Sequence, residues 1–511
     1  MSNKFKEYKK LDLPQINLDV LEKWNREKAF LQSLSLREGK PEYVFYEGPP
    51  SANGVPGIHH VMARTIKDLF CRYKTQKGFL VKRKAGWDTH GLPVELGVEK
   101  ALGIKKEDIG KKISVAEYNE ACKKDVMKFT NLWEELTDKM GYWVDMEHPY
   151  ITYESKYIET LWYLLRQMYD KGLLYKGYTI QPYSPAAGTG LSTHELNQPG
   201  CYKDVKDTTC VALFKTIRNE TSEFLHKLTD TPVFVMAWTT TPWTLPSNTG
   251  LAVGENISYC LVKTYNPYTG DAITVVLAKD RLNAYFSGEN QTGELNGYNA
   301  GDKALPWKML GEYKGSELSG IRYEQLIPWH QPETGDPFRV VTGDFVTTED
   351  GTGIVHIAPS FGADDFRVNQ RHNLGALTLV DKQGKFIEGC GEFSGWYVKQ
   401  EYNEKADDKT PNTDVELAVM LKKEGKAFRI EKYVHSYPHC WRTDKPILYY
   451  PLDSWFIRTT ALKDRMIELN KTINWKPAST GSGRFGQWLE NLVDWNLSRS
   501  RFWGTPLPIW V

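Results

Sequence analysis

The chain has 511 residues, 41% of them hydrophobic, with 17 Trp, 28 Tyr and 20 Phe; this excludes a disordered chain and predicts large buried cores in roughly three domains. Lys and Arg number 65 against 64 Asp and Glu, so net charge does not mark a nucleic-acid binder, although a neutral chain can still carry a local basic face. Seven scattered cysteines without a C-x-x-C pair form a reduced, cytosolic pattern without a zinc knuckle, the N-terminus lacks the apolar core of a signal peptide, and no run of about 18 apolar residues is present to span a membrane.

Residues 1–40 read as a helical arm. "EYVFYEGPP" then reads as a short buried strand, with Val44, Phe45 and Tyr46 running into a Gly-Pro stop. Past "GPPSANGVPGIHH", the residues Ile58, Met62, Ile66, Leu69, Phe70 and Tyr73 recur at helical spacing, with Arg64, Lys67 and Asp68 on other faces. Leu80 and Val81 read as a second strand, followed by a turn carrying Asp88 and His90. Strand, helix, strand is the opening of a parallel α/β sheet, and ligands sit outside the C-terminal ends of such strands. Two adjacent imidazoles where a glycine-rich loop enters a helix suit a phosphate. A helical, Trp- and Tyr-rich stretch covers about 115–175.

From about 200 the texture becomes β-rich: "CYKDVKDTTCVALFK", "VFVMAWTTT", "TGLAVG", "AITVVLA", "FRVVTGDFV" and "GTGIVHIAP" alternate with glycine turns. The expected organisation is a first α/β half at 41–198, a β-rich insert at 199–428, and a return segment at 429–511 that begins a second half. A helix is expected at 457–470, and "LPIWV" at the C-terminus is strand-like.

The block "GPPSANG…HH…TIKD…RY…G" followed by "GWDTHGLPVE" resembles the nucleotide-binding half of class I aminoacyl-tRNA synthetases, in particular the isoleucyl enzymes of eukaryote-like type. "AWTTTPWTLPSN" (237–248), "GTGIVHIAPSFGADDF" (351–366) and "WNLSRSRFWGTPLP" (495–508) follow in family order. The resemblance implies a Rossmann-type catalytic domain interrupted by a β-rich editing domain. It implies ATP-dependent activation of isoleucine, transfer to tRNA(Ile), and hydrolysis of mischarged Val-tRNA(Ile). The implied partners are ATP with Mg2+, isoleucine and tRNA(Ile), in the cytoplasm, away from membranes, as a monomer.

The family's signature His-x-Gly-His reads Gly57-Ile58-His59-His60 here: the last His is retained, and the first and third positions are exchanged. By resemblance His60 stabilises phosphate charge, His59 supplies the second imidazole from a shifted position, and Gly57 leaves space where the first His normally stands. Bulky adenylate mimics that need a bare glycine at the third position should therefore inhibit poorly. Gly48, Pro49, Pro50 and Asn53 belong to the same ATP and amino-acid site, with His90 nearby. Asp88 is implied to pair with the substrate's α-ammonium; on the residues alone it could equally cap a turn while His90 packs.

A missing methylene lets a pocket discriminate only about 10–200-fold, a figure typical of this enzyme class, hence the need for a second, hydrolytic pocket. By resemblance Thr239, Thr240, Thr241, Thr244 and Asn248 line it, Asp365 binds the α-ammonium of the mischarged amino acid, and His356 lies beside the terminal ribose. On its own, "TTTPWT" also reads as strand threonines. His435, His439 and Cys440 lack a closing fourth ligand, because Thr443 stands where some isoleucyl enzymes have Cys, so no metal, zinc included, is expected. The Lys-Met-Ser-Lys-Ser signature and an anticodon-binding helical domain are absent, and the chain is expected to be an N-terminal fragment. A valyl or leucyl enzyme, a free-standing tRNA deacylase, and a non-enzymatic Rossmann-type module remain as alternatives. The turn at Trp87–Pro93, the adenylate motifs themselves, and the lack of a G-x-G-x-x-G fingerprint argue against each in turn.

Overall fold

The computed structural model describes residues 10–46, 48–295 and 297–510. It divides into two units: one runs to Gly172 and resumes at Arg501, and the other is Leu173–Ser500. The second unit is thus inserted into the first, the α/β organisation expected of an interrupted domain. The first nine residues of the expected arm and the final Val511 of "LPIWV" lie outside the described residues, and 507–510 form no strand.

In the first unit, helices Leu13–Glu27 and Ala29–Ser35 precede the long helix Ile58–Gln76. The expected strand at Val44–Tyr46 does not form. Val44 is 61% and Tyr46 90% exposed, and the segment contributes a single parallel bridge from Glu42 to Leu80. The second strand comes later than Leu80–Val81: it is Lys84–Trp87, which pairs parallel with Asp145–Ile151. Leu80 and Val81 are buried without belonging to it. Between these paired strands run helices Leu92–Leu102, Val115–Val126 and Thr130–Lys139, and Ser155–Asp170 follows.

The helix at Ile58–Gln76 forms where the periodicity predicts it but turns its other face inward. Ile58, Met62, Ile66, Leu69, Phe70 and Tyr73 are all more than half exposed, whereas Arg64, Cys71 and Thr75 are buried. Cation–aromatic and ionic contacts explain the orientation. Arg64 lies over the rings of Trp133 and Tyr142 at 4.9 and 5.6 Å, Arg72 lies 4.0 Å from the Trp143 ring centre, and Asp68 accepts from buried Arg83 at 2.8 Å. Desolvated cation–π pairs compete well with single apolar side chains.

Among the described residues the second unit holds three sheets. A six-stranded sheet runs in the order Lys308–Lys314, Ser258–Tyr265, Ala272–Ala278, Val233–Thr239, Tyr202–Lys215, Ala427–Pro438. A three-stranded sheet places Gly250–Val253 between Arg339–Thr342 and Ile354–Ile357. In the third, Leu174–Ser184 and Leu448–Ile457 pair antiparallel along their lengths. This pairing carries the unit beyond 199–428 at both ends, and the six-stranded sheet itself continues through Pro438. One face of the six-stranded sheet packs in a large core that includes Phe214, Trp243, Tyr259, Leu261 and Tyr323, and its other face, with Leu213, Met236 and Val275, packs in a second. All seven cysteines are free and buried, and no described helix is long and apolar enough to cross a membrane.

Candidate functional site

The loop 48–57 is fixed from below. Phe129 N–H donates to Ala52 O at 3.0 Å, Trp133 Nε1 donates to Gly54 O at 2.9 Å, and Ala52, Trp87 and Trp133 share a small core. Asp88 N–H donates to Pro50 O at 2.9 Å, so the proline loop and the turn after Lys84–Trp87 are tied backbone to backbone. Gly48 is exposed; Pro49, Pro50 and Asn53 are half-buried, and Asn53 Oδ1 accepts from Ser51 Oγ at 2.9 Å.

Gly57 is the N-cap of the helix. Its N–H donates to His60 Nδ1 at 2.9 Å, which puts the proton of the neutral ring on Nε2. The His59 and His60 rings stand 3.8 Å apart, and His60 meets Trp133 edge-on at 4.6 Å. A Cβ on Gly57 would come within 2.8 Å of His59 Cε1, so the His59 ring stands against the space a side chain at 57 would need. Burial lowers the His60 pKa, and His59 and Arg64 lower it further. A helix start with unsatisfied N–H groups beside two imidazoles is an anion-binding arrangement. Arg64, one turn on, lines a cleft with Pro49, Pro50, Gly86, Tyr142 and Tyr150; its place in the site was not read from the sequence.

Asp88 is exposed at the strand's end. The surrounding protein raises its pKa by desolvation, opposed by a backbone hydrogen bond from His90. His90 is half-buried, its pKa lowered by burial, and its ring lies 5.2 Å from that of Trp503. Trp503 belongs to the returning segment. Its Nε1 donates to Thr89 O at 2.6 Å and its N–H to Glu95 Oε1 at 3.0 Å. Arg501 bonds Glu95 Oε2 at 2.9 Å and also Glu99, and Tyr118 donates to Glu99 at 3.2 Å. Arg501 and Trp503 sit within the block "WNLSRSRFWGTPLP", yet nothing local in that block signals that it closes on the helix after Asp88.

In the second unit, Val233–Thr239 runs into a turn and a short 3-10 helix, Pro242–Ser247, whose N-cap is Thr241. Thr241 N–H donates to Thr239 Oγ1 at 3.0 Å, and Thr244 Oγ1 donates to Thr241 O at 2.8 Å. Thr244 Oγ1 also lies 3.0 Å from His356 Nε2, which brings together two blocks 112 residues apart. His356 is held in Ile354–Ile357 opposite Leu251. It is 8% exposed, burial pulls its pKa down to about 4, and its Nδ1 has no hydrogen-bond partner.

Asp365, in the first turn of helix Ala363–His372, accepts from Ala358 N–H at 2.8 Å. Burial pushes its pKa up to about 7, and a Cβ at Gly362 would come within 2.7 Å of its carboxyl carbon. Asn248 is placed differently from the threonines. It is 2% exposed, Tyr323 OH donates to its Oδ1 at 2.8 Å, and its Nδ2 donates to Gly250 O at 2.8 Å; this braces the end of the 3-10 helix. Thr240 is half-buried in the turn.

Of the candidate ligands near 435–440, His435 Nε2 lies 3.2 Å from Asp207 Oδ2. His439 Nδ1 lies 2.9 Å from Tyr437 O, and Cys440 is buried. Among the described residues no group of three or more His, Cys, Asp or Glu is placed to hold a metal ion.

The model of the family "tRNA synthetases class I (I, L, M and V)" matches residues 19–511. The chain belongs to this family. Among its relatives, the isoleucine–tRNA ligase of Bacteroides fragilis is 63% identical over 100% of the chain and 46% of its own length. That of Porphyromonas gingivalis is 62% identical over 100% and 47%, and that of Clostridium tetani 44% identical over 98% and 44%. The chain spans about half the length of the curated relatives it matches. As a member of the class I synthetases, it carries the histidine block in its first unit and the threonine–histidine–aspartate block in its second.

Proposed function

We propose that the chain is the nucleotide-binding and editing portion of an isoleucine–tRNA ligase. The observation that carries this is identity above 60% along the whole chain to ligases of that name. At the first site, the helix start with His59 and His60 stabilises the negative charge that develops as pyrophosphate leaves ATP. Asp88 accepts the α-ammonium of isoleucine, and Pro49 and Pro50 bound the amino acid. ATP arrives as its magnesium complex, and the ion comes with the phosphates.

At the second site the reaction is hydrolysis of the Val-tRNA(Ile) ester. Ionised Asp365 holds the α-ammonium. Neutral His356 lies beside the terminal ribose and holds the Thr244 hydroxyl, and the hydroxyls of Thr239, Thr240, Thr241 and Thr244 position the ester and the attacking water. Water adds to the ester carbonyl, the bond to the ribose oxygen breaks, and that oxygen takes the proton lost by water. The enzyme works as a cytoplasmic monomer under the same proposal.

The test uses the full-length enzyme. Rapid hydrolysis of Val-tRNA(Ile) but not Ile-tRNA(Ile), lost in Asp365→Ala, together with isoleucine-dependent ATP–pyrophosphate exchange lost in Asp88→Ala, is the expected result. Exchange with another amino acid in place of isoleucine overturns the specificity. Unimpaired hydrolysis in Asp365→Ala overturns the editing assignment.

A further inference from the structure

Next to the threonine turn lies a buried ionic cluster that neither site above employs. Lys399 is 6% exposed and Asp414 3%. Lys399 Nζ donates to Asp207 Oδ2 at 2.9 Å and to Asp414 Oδ2 at 3.2 Å, and lies 5.1 Å from the centre of the Tyr437 ring. Its three donors therefore face two carboxylates and a ring face. Asp207 also meets His435 Nε2 at 3.2 Å. Burial pulls the ammonium's pKa down, but Asp414, Tyr437 and Asp207 outweigh it, so Lys399 stays charged. Burial also raises the pKa of Asp414, against the opposing pull of Lys399.

The second oxygen of Asp414 does something different. Oδ1 accepts the backbone N–H of Trp243 at 2.9 Å, across 171 residues. Trp243 is the second residue of the 3-10 helix Pro242–Ser247, where backbone N–H groups have no partner within the helix. An N-cap side chain normally satisfies such a donor, yet Thr241 makes no side-chain cap hydrogen bond. Asp414 caps the helix from outside. The next residue after Trp243 is Thr244, whose hydroxyl meets His356.

We propose that Asp414, held in place by Lys399, is a positioning residue for the editing reaction: it caps the Pro242–Ser247 turn and thereby sets the Thr244–His356 pair. This rests on the editing reading of the second site. Lys399 holds Asp414 in place through its Oδ2, and Asp207 anchors Lys399 on the six-stranded sheet. The buried charges serve placement of the turn. Buried ion pairs of this kind can be replaced by apolar residues with little loss of stability, which allows placement to be separated from folding.

The test compares two double variants of the full-length enzyme. Lys399→Met with Asp414→Asn removes both charges but keeps an oxygen for Trp243 N–H; Lys399→Met with Asp414→Leu removes the oxygen as well. The Asn variant should hydrolyse Val-tRNA(Ile) within about twofold of wild type. The Leu variant should lose about 10–100-fold in kcat with KM unchanged, the scale of a misplacement near 1 Å. Isoleucine-dependent pyrophosphate exchange should be unchanged in both. If the Leu variant does not fold, Asp414→Ala with Lys399→Met takes its place. Equal hydrolysis in both double variants, whether intact or lost, overturns the positioning role. A wild-type enzyme that does not hydrolyse Val-tRNA(Ile) overturns the editing reading itself, and the positioning role with it.

Discussion

Burial pushes the Asp365 carboxyl up to about 7, and this gives the proposed editing reaction a definite pH signature. A carboxyl at about 7 is ionised to roughly 1% at pH 5, about 10% at pH 6 and about half at pH 7, so kcat/KM, which reports the free enzyme, rises about tenfold per unit at first and bends near 7. An exposed aspartate, at about 3.9, would give a flat profile over the same range. His356 does not produce this limb, because burial leaves it unprotonated above about 4. The assay is single-turnover hydrolysis of Val-tRNA(Ile) by the full-length enzyme between pH 5 and 7.5, for wild type and Asp365→Asn. The asparagine keeps an oxygen for Ala358 N–H and cannot ionise. It should show low, pH-independent activity. The stability effect has the opposite sign. The folded pKa is raised, so the folded state binds the proton more tightly; the stability this brings is complete below the unfolded value and lost as pH rises through about 7. Asp365→Asn should therefore melt higher than wild type at pH 8 and no higher at pH 4. A flat wild-type profile from pH 5 to 7, or the same bend in Asp365→Asn, refutes the assignment.

Three further outcomes are expected. His59→Gly should improve inhibition of adenylate formation by bulky adenylate mimics, measured as a fall in the inhibition constant; an unchanged constant would mean that the ring over Gly57 does not obstruct them. Arg501→Ala leaves Glu95 and Glu99 buried with an uncompensated charge, and should cost about 3–5 kcal/mol in denaturant unfolding, while Arg501→Lys, unable to fork across both carboxylates, should fall between. Thr244→Val removes the partner of His356 Nε2 and leaves a buried imidazole with neither nitrogen bonded, a cost of about 1–3 kcal/mol; hydrolysis of Val-tRNA(Ile) should fall while isoleucine activation, measured by pyrophosphate exchange, is unchanged.

The parts of the fold that were legible in the sequence are those whose signal is local. Apolar runs at Val233–Thr239, Ala272–Ala278 and Ile354–Ile357 became strands, and the Ile58–Gln76 periodicity became a helix. Orientation was not local. An apolar stripe fixes which residues share a face, but the partner decides which face is buried. Here Trp133, Tyr142 and Trp143 select the stripe bearing Arg64 and Arg72. Val44–Tyr46 has strand composition, yet a strand needs a neighbour along its length, and the bridge here is made just before it, by Glu42 to Leu80.

The sites divide along the same line. Gly57, His59 and His60 interact within four residues, so their relation could be drawn from spacing. Thr244 and His356 could be linked only by resemblance, and Asn248, grouped with the threonines by its position in the block, is instead turned to Tyr323 and Gly250. The contacts that hold each site in place span long intervals. Arg501 reaches Glu95, Trp503 reaches Thr89, and Asp414 reaches Trp243. Each supporting residue is a charge or an indole whose own sequence, even where it lies in a motif block as Glu95, Arg501 and Trp503 do, does not name its partner. A charged side chain in a sequence reads as surface, because most are. Arg501, Glu95, Lys399 and Asp414 break that rule together, in pairs that balance each other, and a buried charge is tolerable only where its partner is supplied. Each member of such a pair is therefore unreadable until the fold has brought in the other.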